Sequence, residues 1–202
     1  GSRLIVHESI QAAFLDRLKA LAEKLTLGPG VEETTEMGPL VTREHLATVT
    51  GYIDQARSDG ARIVTGGARP SEPALAAGNF LQPTVLADLA PTSRAAQEEI
   101  FGPVLATFPF QDADEAVRLA NQTHYGLCAA LWTRDLGTAH TIARRIEAGM
   151  VIVNEAPVTF PQTPFGGYKQ SGLGSEQGRH ALESYLRTKN VSVNLGASRK
   201  KA

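Results

Sequence analysis

Two segments of the sequence contain residue types and spacings that could do chemistry: residues 97–103, Gln-Glu-Glu-Ile-Phe-Gly-Pro, and residues 154–174. In the first segment, the Glu99 carboxylate could accept paired hydrogen bonds from a diol such as a ribose, and Phe101 offers a flat face to a ring. The alternative is a solvated loop carboxylate beside a core phenylalanine, which the residue types alone favour. The residue types and their spacing do not establish whether this segment binds a ligand.

The second segment is rich in glycine, with five glycines between Gly166 and Gly178. Glycine lets the backbone turn sharply or approach a ligand closely. The Gly-Lys-Ser/Thr order of a phosphate loop is absent, and Gly172-Leu173-Gly174 is too short a match for a dinucleotide fingerprint. The residues alone therefore favour a turn-rich connector.

The single cysteine, Cys128, raises the hypothesis of a nucleophile. Its neighbours are apolar and belong to a predicted buried strand, where a thiol behaves as a small apolar residue, so we expect a structural role. The histidines show no HxH or HExxH spacing, and we expect no metal site; they are His7, His45, His124, His140 and His180.

The composition excludes several classes of protein. The net charge of −1 over 202 residues gives no electrostatic reason to expect nucleic acid or an anionic membrane as a partner. Neither a membrane span nor a signal peptide is evident, so we expect a cytoplasmic protein. The chain begins Gly1-Ser2-Arg3 and not with Met, which indicates a tag remnant or a cut through a longer protein.

Strand-like and helix-like patterns alternate along the chain. Predicted strands cover residues 3–8, 61–65, 80–86, 102–110, 127–133, 150–153 and 190–195. Predicted helices begin at Ser9, Arg43, Asp112, Asp135 and Ser175, the last continuing to Lys189. This alternation predicts an α/β fold with an open, largely parallel sheet and flanking helices. Ligands of such sheets bind beyond the carboxyl ends of the strands.

At these same segments the sequence resembles the aldehyde dehydrogenase superfamily. The matching stretches, in order and over nearly the whole chain, are residues 78–86, 98–104, 125–127, 149–154 and 164–172, the last reading Pro-Phe-Gly-Gly-Tyr-Lys-Gln-Ser-Gly. The resemblance implies a partial catalytic domain over residues 1–189. Within residues 190–202 it also implies an oligomerisation strand from Asn190 to Leu195. We expect the tail from Gly196 to be disordered because it is a chain terminus.

The resemblance also implies roles for individual residues. Glu99 matches the family glutamate that binds the nicotinamide ribose of NAD or NADP, and Phe101 matches the aromatic residue beside the nicotinamide. His45 stands where the family often has Gln, on the helix near the adenosine ribose, and is the third candidate for cofactor binding. Phe165 matches the aromatic residue at the mouth of the substrate pocket. Residues 155–163, which include Thr159, match the loop that shapes aldehyde preference.

One departure from the family is large. The family's catalytic cysteine, in a Gly-Gln-x-Cys motif, falls just before the segment that matches Gly1-Ser2-Arg3, and the general-base glutamate also falls upstream. The resemblance therefore implies the carboxyl-terminal part of an NAD(P)+-dependent aldehyde dehydrogenase with no catalytic residue in this chain. We expect the isolated chain to be inactive and to bind cofactor weakly or not at all.

The partners implied by the resemblance are a small-molecule aldehyde and further copies of the same chain. Two alternatives remain from the sequence. One is a non-catalytic binding or assembly module derived from this fold, which would keep the oligomerisation strand. The other is a purely structural fragment that binds no NAD.

Overall fold

The computed structural model describes residues 1–196 and contains an α/β fold. The strands are β1 Arg3–His7, β2 Arg62–Thr65, β3 Thr84–Ala87, β4 Val104–Phe110, β5 Tyr125–Gly126, β6 Cys128–Leu131, β7 Met150–Val153 and β8 Tyr168–Lys169. The helices are α1 Glu8–Ala22, α2 Arg43–Ser58, α3 Arg94–Gln97, α4 Ala113–Asn121, α5 Leu136–Arg145 and α6 Ala181–Ser184, with a short 3₁₀ turn at Pro73–Leu75.

The main sheet has four strands in the order β1-β4-β3-β2. The β1/β4 and β4/β3 pairs are parallel, and β2 closes one edge antiparallel to β3. A second parallel pair joins β6 to β7, with Cys128 opposite Met150, and β5 pairs antiparallel with β8. The predicted open, largely parallel sheet with flanking helices is thereby confirmed.

The larger part of the hydrophobic core lies between the four-stranded sheet and one face of α2, and a smaller cluster joins Leu15 of α1 to Val85 and Ala87 of β3. All four residues of β3 are buried, as expected for a strand covered on both faces. Ile53 of α2, Leu86 of β3 and Phe108 of β4 are each 1% exposed or less. Each such side chain contributes about 1.5–3 kcal/mol by leaving water. This packing fixes α2 against the sheet and against the chain between α3 and β4.

Side-chain caps set several helix starts where the sequence predicts them. Thr42, Asp112 and Asp135 each accept a hydrogen bond from the backbone N–H three residues on. The predicted cap at Ser9 is wrong, because α1 begins at Glu8 and His7 is its cap. The Nδ1 atom of His7 accepts the Ser9 N–H at 3.2 Å.

The face that α1 buries differs from its most apolar stripe. Leu15 and Ala22 are buried, whereas Ile10 and Leu21 are 55% and 66% exposed. Phe14 is also exposed. The spacing of these residues correctly predicted a helix. The face of α1 that is buried against the sheet, however, lies beside the predicted apolar stripe.

Prolines delay two strands relative to the sequence prediction. β3 begins at Thr84 and not at Phe80, and β4 begins at Val104 and not at Gly102. Pro83 and Pro103 precede these starts and have no N–H to donate to a ladder. The carbonyl of Pro103 still accepts the N–H of Thr84 at 2.8 Å.

The carboxyl-terminal predictions need correction. The predicted helix over 175–189 is only one turn, Ala181–Ser184, because Gln177 and Gly178 have φ values of 60° and 57°, outside the helical region. The predicted strand over 190–195 is also wrong for the single chain, since residues 190–196 pair with no strand in the described part of the chain. Apart from Gly196, the tail predicted to be disordered lies outside the described residues.

Candidate functional site

The segment 98–103 connects α3 to β4 and contains two of the three candidate cofactor-binding residues. It lies at the amino end of β4 and not directly after a strand. The second segment, 154–174, directly follows β7.

Glu98 is held by two side chains. The Tyr52 hydroxyl donates to Glu98 Oε2 at 2.6 Å, and Arg94 Nε donates to the same oxygen at 2.9 Å. The Arg94 guanidinium also lies 4.2 Å from the centre of the Tyr52 ring. The hydrogen bond from Tyr52, followed by that from Arg94, lowers the pKa of Glu98. The pKa of Tyr52 is raised, first by its hydrogen bond to Glu98 and then by burial.

The next three residues alternate in exposure. Glu99 is exposed, Ile100 is 4% exposed, and Phe101 is 76% exposed. Among the described residues, no side-chain hydrogen bond or ion pair engages the Glu99 carboxylate. The interpretation of Phe101 as a core phenylalanine, which residue type alone favoured, is therefore wrong. Glu99 and Phe101 present a free carboxylate and a free ring from one anchored segment.

His45 lies beside this segment but contacts its backbone. Its Nε2 donates to the carbonyl oxygen of Phe101 at 2.5 Å, and the two ring centres are 6.5 Å apart. Because the carbonyl can only accept, Nε2 carries a proton. The Nδ1 atom is buried and has no partner in the described part of the chain. The structure thus brings His45 together with Phe101 and, through the segment, near Glu99.

Val49 of α2 packs closely against Gly102. A β-carbon placed on Gly102 would lie 2.8 and 2.9 Å from the two Val49 methyl groups. Only glycine therefore fits between this valine and the chain as it enters β4.

The candidate substrate-pocket residues occupy the second segment. Phe165 is half-buried and exchanges backbone hydrogen bonds with Glu176 at 2.8 and 2.7 Å. Thr159 is exposed, as is every residue of 155–163. Within residues 1–196, no hydrogen bond or ring pairing joins Thr159 or Phe165 to His45, Glu99 or Phe101.

Glycines in this segment, together with Gly149 just before β7, allow backbone to pack on backbone. A β-carbon on Gly149 would fall 1.7 Å from the Gly166 carbonyl oxygen, and one on Gly167 would fall 2.6 Å from that of Ser171. The turn-rich connector that the residues favoured is confirmed.

Two polar side chains fasten the ends of the second segment. The Asn154 amide pairs with both backbone groups of Thr133, accepting the N–H at 2.9 Å and donating to the carbonyl at 2.8 Å. Lys169 Nζ donates to the carbonyls of Asn121 and Thr123, and lies 2.7 Å from Glu147 Oε2. The loop 155–163 therefore begins and ends on anchored chain.

The lone cysteine lies in β6, where a strand was predicted, but the prediction that this strand is buried is wrong: Cys128 is half-buried and no residue of β6 is fully buried. No group of three or more His, Cys, Asp or Glu side chains in residues 1–196 is placed to hold a metal ion. Over the same residues, none of the helices combines the length and the apolar character needed to cross a membrane.

Comparison with known proteins decides the family. The model of the aldehyde dehydrogenase family matches residues 1–191. The chain belongs to the aldehyde dehydrogenase family. The Bacillus subtilis (strain 168) protein DhaS is 45% identical over 96% of this chain, and the betaine aldehyde dehydrogenase of the same organism is 42% identical over 96%. This chain spans 39% and 40% of those two relatives.

A solved aldehyde dehydrogenase shows the same fold. The betaine aldehyde dehydrogenase of Staphylococcus aureus, in complex with NAD+, superposes with a TM-score of 0.91 at 39% identity. The match covers 98% of this chain and 41% of that one. The α/β architecture is therefore that of aldehyde dehydrogenases.

Glu99 and Phe101 have the chemistry to hold a ribose and a flat ring. Glu99 offers unengaged carboxylate oxygens for the hydroxyls of a ribose, and Phe101 offers an exposed ring face. Both belong to a segment whose flanking groups are fixed by contacts.

Sequence reasoning missed the residues that fix this segment. Tyr52 and Arg94 act on Glu98, the neighbour of the residue that was singled out. One available signal was the spacing of His45, Val49 and Tyr52, which places them on one helix face. Nothing in the local sequence indicates that Asn154 bonds to Thr133.

Proposed function

We propose that this chain is the carboxyl-terminal, catalytic-domain part of an NAD(P)+-dependent aldehyde dehydrogenase that oxidises an aldehyde to a carboxylic acid. The observation that carries the proposal is the pair of free side chains, Glu99 and Phe101, on an anchored segment of a chain from this family. The chain spans about two fifths of the length of its relatives. This coverage supports placing the nucleophile and the general base in another part of a longer protein.

In this proposal the chain's residues bind and orient the cofactor. The Glu99 carboxylate accepts hydrogen bonds from the two hydroxyls of the nicotinamide ribose, and the Phe101 ring packs beside the nicotinamide. When bound, NAD(P)+ supplies the acceptor for hydride. A ribose held at two oxygens has few orientations left, so the carboxylate also restricts the orientation of the attached nicotinamide.

The proposed bond-making groups lie upstream of this chain. A cysteine thiolate adds to the aldehyde carbon to form the alkoxide of a thiohemiacetal, whose hydride would pass to NAD(P)+ and leave a thioester. A glutamate general base then takes a proton from water as its oxygen adds to the thioester carbon, and the carbon–sulfur bond breaks to release the carboxylic acid and the thiolate. Cys128 takes no part, because it is held within the β6/β7 pair.

The loop 155–163 forms one wall of the aldehyde site in this proposal, with Thr159 and the adjacent Phe165 as its contacts. Exposure of the whole loop supports this assignment, since its side chains are free to face a ligand. Relatives named betaine aldehyde dehydrogenase make a quaternary-ammonium aldehyde a natural first substrate to assay.

Turnover tests the proposal directly. We would purify the product of the complete reading frame and the 202-residue chain, and follow NADH and NADPH formation with a panel of aldehydes. The complete product should turn over and the isolated chain should not. Aldehyde-dependent NADH formation by the isolated chain that is lost on Cys128→Ser would overturn the proposal.

Glu99→Gln tests the cofactor site within the complete product. We expect the KM for NAD+ to rise about tenfold, as the loss of a charge-assisted hydrogen bond predicts, with little change in the KM for aldehyde. Glu33→Gln is the matched control, because Glu33 is an exposed loop carboxylate elsewhere. An unchanged KM for NAD+ in the Glu99 variant would remove the cofactor role.

Self-association and a cytoplasmic location complete the proposal. Val191, Val193 and Leu195 are each more than 70% exposed, which favours contact with a second copy. The lone half-buried thiol of Cys128 suits a reducing compartment. Sedimentation of the purified chain and fractionation of its source cells test these two points.

A further inference from the structure

We propose that one face of α2, formed by His45, Val49 and Tyr52, is a positioning surface that sets the conformation of residues 98–102 for cofactor binding. The inference rests on the proposed function, because it explains how Glu99 and Phe101 come to be presented to a ligand. It assigns His45 to positioning rather than to direct contact with the cofactor.

The three residues share a face of α2 because they are spaced by four and three positions. Each makes a different contact with the segment. Tyr52 donates to the side chain of Glu98, His45 donates to the backbone of Phe101, and Val49 packs on Gly102. Glu99 and the ring of Phe101, which lie within this contacted stretch and project into solvent, are the groups proposed to bind the cofactor.

The contact of Tyr52 distinguishes two adjacent carboxylates. Glu98 and Glu99 are chemically alike, and either could accept hydroxyl groups from a ribose. The Tyr52 hydroxyl and the Arg94 guanidinium both engage Glu98 Oε2, which occupies one of its two oxygens and balances its charge. Glu99 is left as the free carboxylate, so the network determines which of the two faces the ligand.

The contact of His45 fixes the peptide plane after Phe101. Its Nε2 proton is committed to the Phe101 carbonyl, and its Nδ1 is buried. Neither nitrogen is therefore open to a ligand. Rotation of the Phe101 peptide would break the bond, so the imidazole limits where the exposed ring can point.

The test compares variants that remove one contact each in the product of the complete reading frame. Tyr52→Phe deletes only the hydroxyl, and His45→Ala deletes the donor. We expect each to raise the KM for NAD+ about fivefold, as the loss of one hydrogen bond predicts, with kcat at saturating NAD+ and the KM for aldehyde unchanged. His45→Gln should restore the KM to within about twofold, because its amide is a donor of similar reach.

Exposed residues provide matched controls. Tyr185→Phe and His140→Ala make the same chemical changes at exposed positions away from the segment, and their KM values should equal that of the parent. Amide hydrogen exchange of the cofactor-free protein gives a second readout. Residues 98–102 should exchange faster in Tyr52→Phe and His45→Ala, with the β6/β7 amides unchanged as evidence of intact folding.

The outcomes separate this inference from the proposed function. If Glu99→Gln raises the KM for NAD+ while Tyr52→Phe and His45→Ala leave both the KM and the exchange unchanged, the positioning role is overturned and the cofactor role stands. If Glu99→Gln has no effect, the cofactor role fails and the inference fails with it. A rise in the KM for His45→Gln equal to that for His45→Ala would also contradict positioning through the donated bond.

Discussion

The methyl groups of Val49 occupy the space that a side chain on Gly102 would need, since a β-carbon there would overlap them at 2.8 and 2.9 Å. The valine is 1% exposed and β-branched, so it cannot swing aside. The close approach of α2 to the chain entering β4 therefore depends on both residues together.

Gly102→Ala should destabilise the protein by about 1–3 kcal/mol, the usual cost of overpacking a core. The double variant Val49→Ala, Gly102→Ala should be more stable than the sum of the two single changes predicts. The alanine at 102 would fill the cavity left by the valine methyl groups, and their removal would relieve the overlap with the new β-carbon. Urea unfolding of the four proteins forms a double-mutant cycle. Strict additivity would show that the two residues do not compete for the same space.

Glycine-to-alanine changes should have opposite signs at Gly149 and Gly51. At Gly149 the new methyl group would meet the Gly166 carbonyl oxygen at 1.7 Å, and both partners are backbone, so we expect a loss of about 3 kcal/mol. Gly51 lies within α2 with no atom near its missing β-carbon, and Ala there should stabilise the protein by about 0.5–1 kcal/mol. Thermal unfolding measures both, and a stable Gly149→Ala protein would refute the backbone contact.

Acid should weaken the contribution of Glu98 to stability. Its pKa in the folded protein is lowered from the usual 4.5, first by the bond from Tyr52 and then by that from Arg94. The unfolded chain therefore binds the proton more readily, and the stabilisation is complete above about pH 4.5 and lost as the pH falls through the lowered value.

Glu98→Gln provides the comparison for this pH dependence. The difference in unfolding free energy between the parent and this variant should be largest near neutral pH and should shrink in acid. Glu33→Gln controls for general loss of a carboxylate, since Glu33 is exposed. A difference that stays constant with pH would contradict the lowered pKa.

Two leucines of α1 should differ sharply in their effects on stability. Leu15 is 4% exposed and Leu21 is 66% exposed. Leu15→Ala should cost about 3 kcal/mol, whereas Leu21→Ala should change the unfolding free energy by less than about 0.5 kcal/mol. Equal losses in chemical denaturation would mean that α1 buries a different face.

The sequence predicted most of the fold because the deciding information is local. Residues 150–153 are apolar and β-branched throughout most of their length, and β7 covers the same residues as the prediction. Asp112 and Asp135 are N-cap residues, and their type and position in the sequence predict where α4 and α5 begin. Several boundaries moved where a proline, an unpredicted cap or a residue with positive φ intervened.

Tertiary contacts account for what the sequence did not predict. The bond between Tyr52 and Glu98 joins residues 46 positions apart, so no local pattern contains it. The residue type of Phe101 favours burial, yet its neighbours Ile100 and Gly102 take the inward positions. The Gly178 N–H donates to the Pro161 carbonyl at 2.9 Å, and this tertiary bond, with the positive φ of Gly178, interrupts the helical periodicity of 175–189.

The bonds between Asn154 and Thr133 have a consequence for how this chain can vary. The side-chain amide adds one more rung beyond the β6/β7 ladder, and the chain leaves the sheet only after that rung. Residues 155–163 are exposed throughout and contribute nothing to the core. Their sequence is therefore decoupled from folding, and the protein can exchange this loop for another while the scaffold around it remains the same.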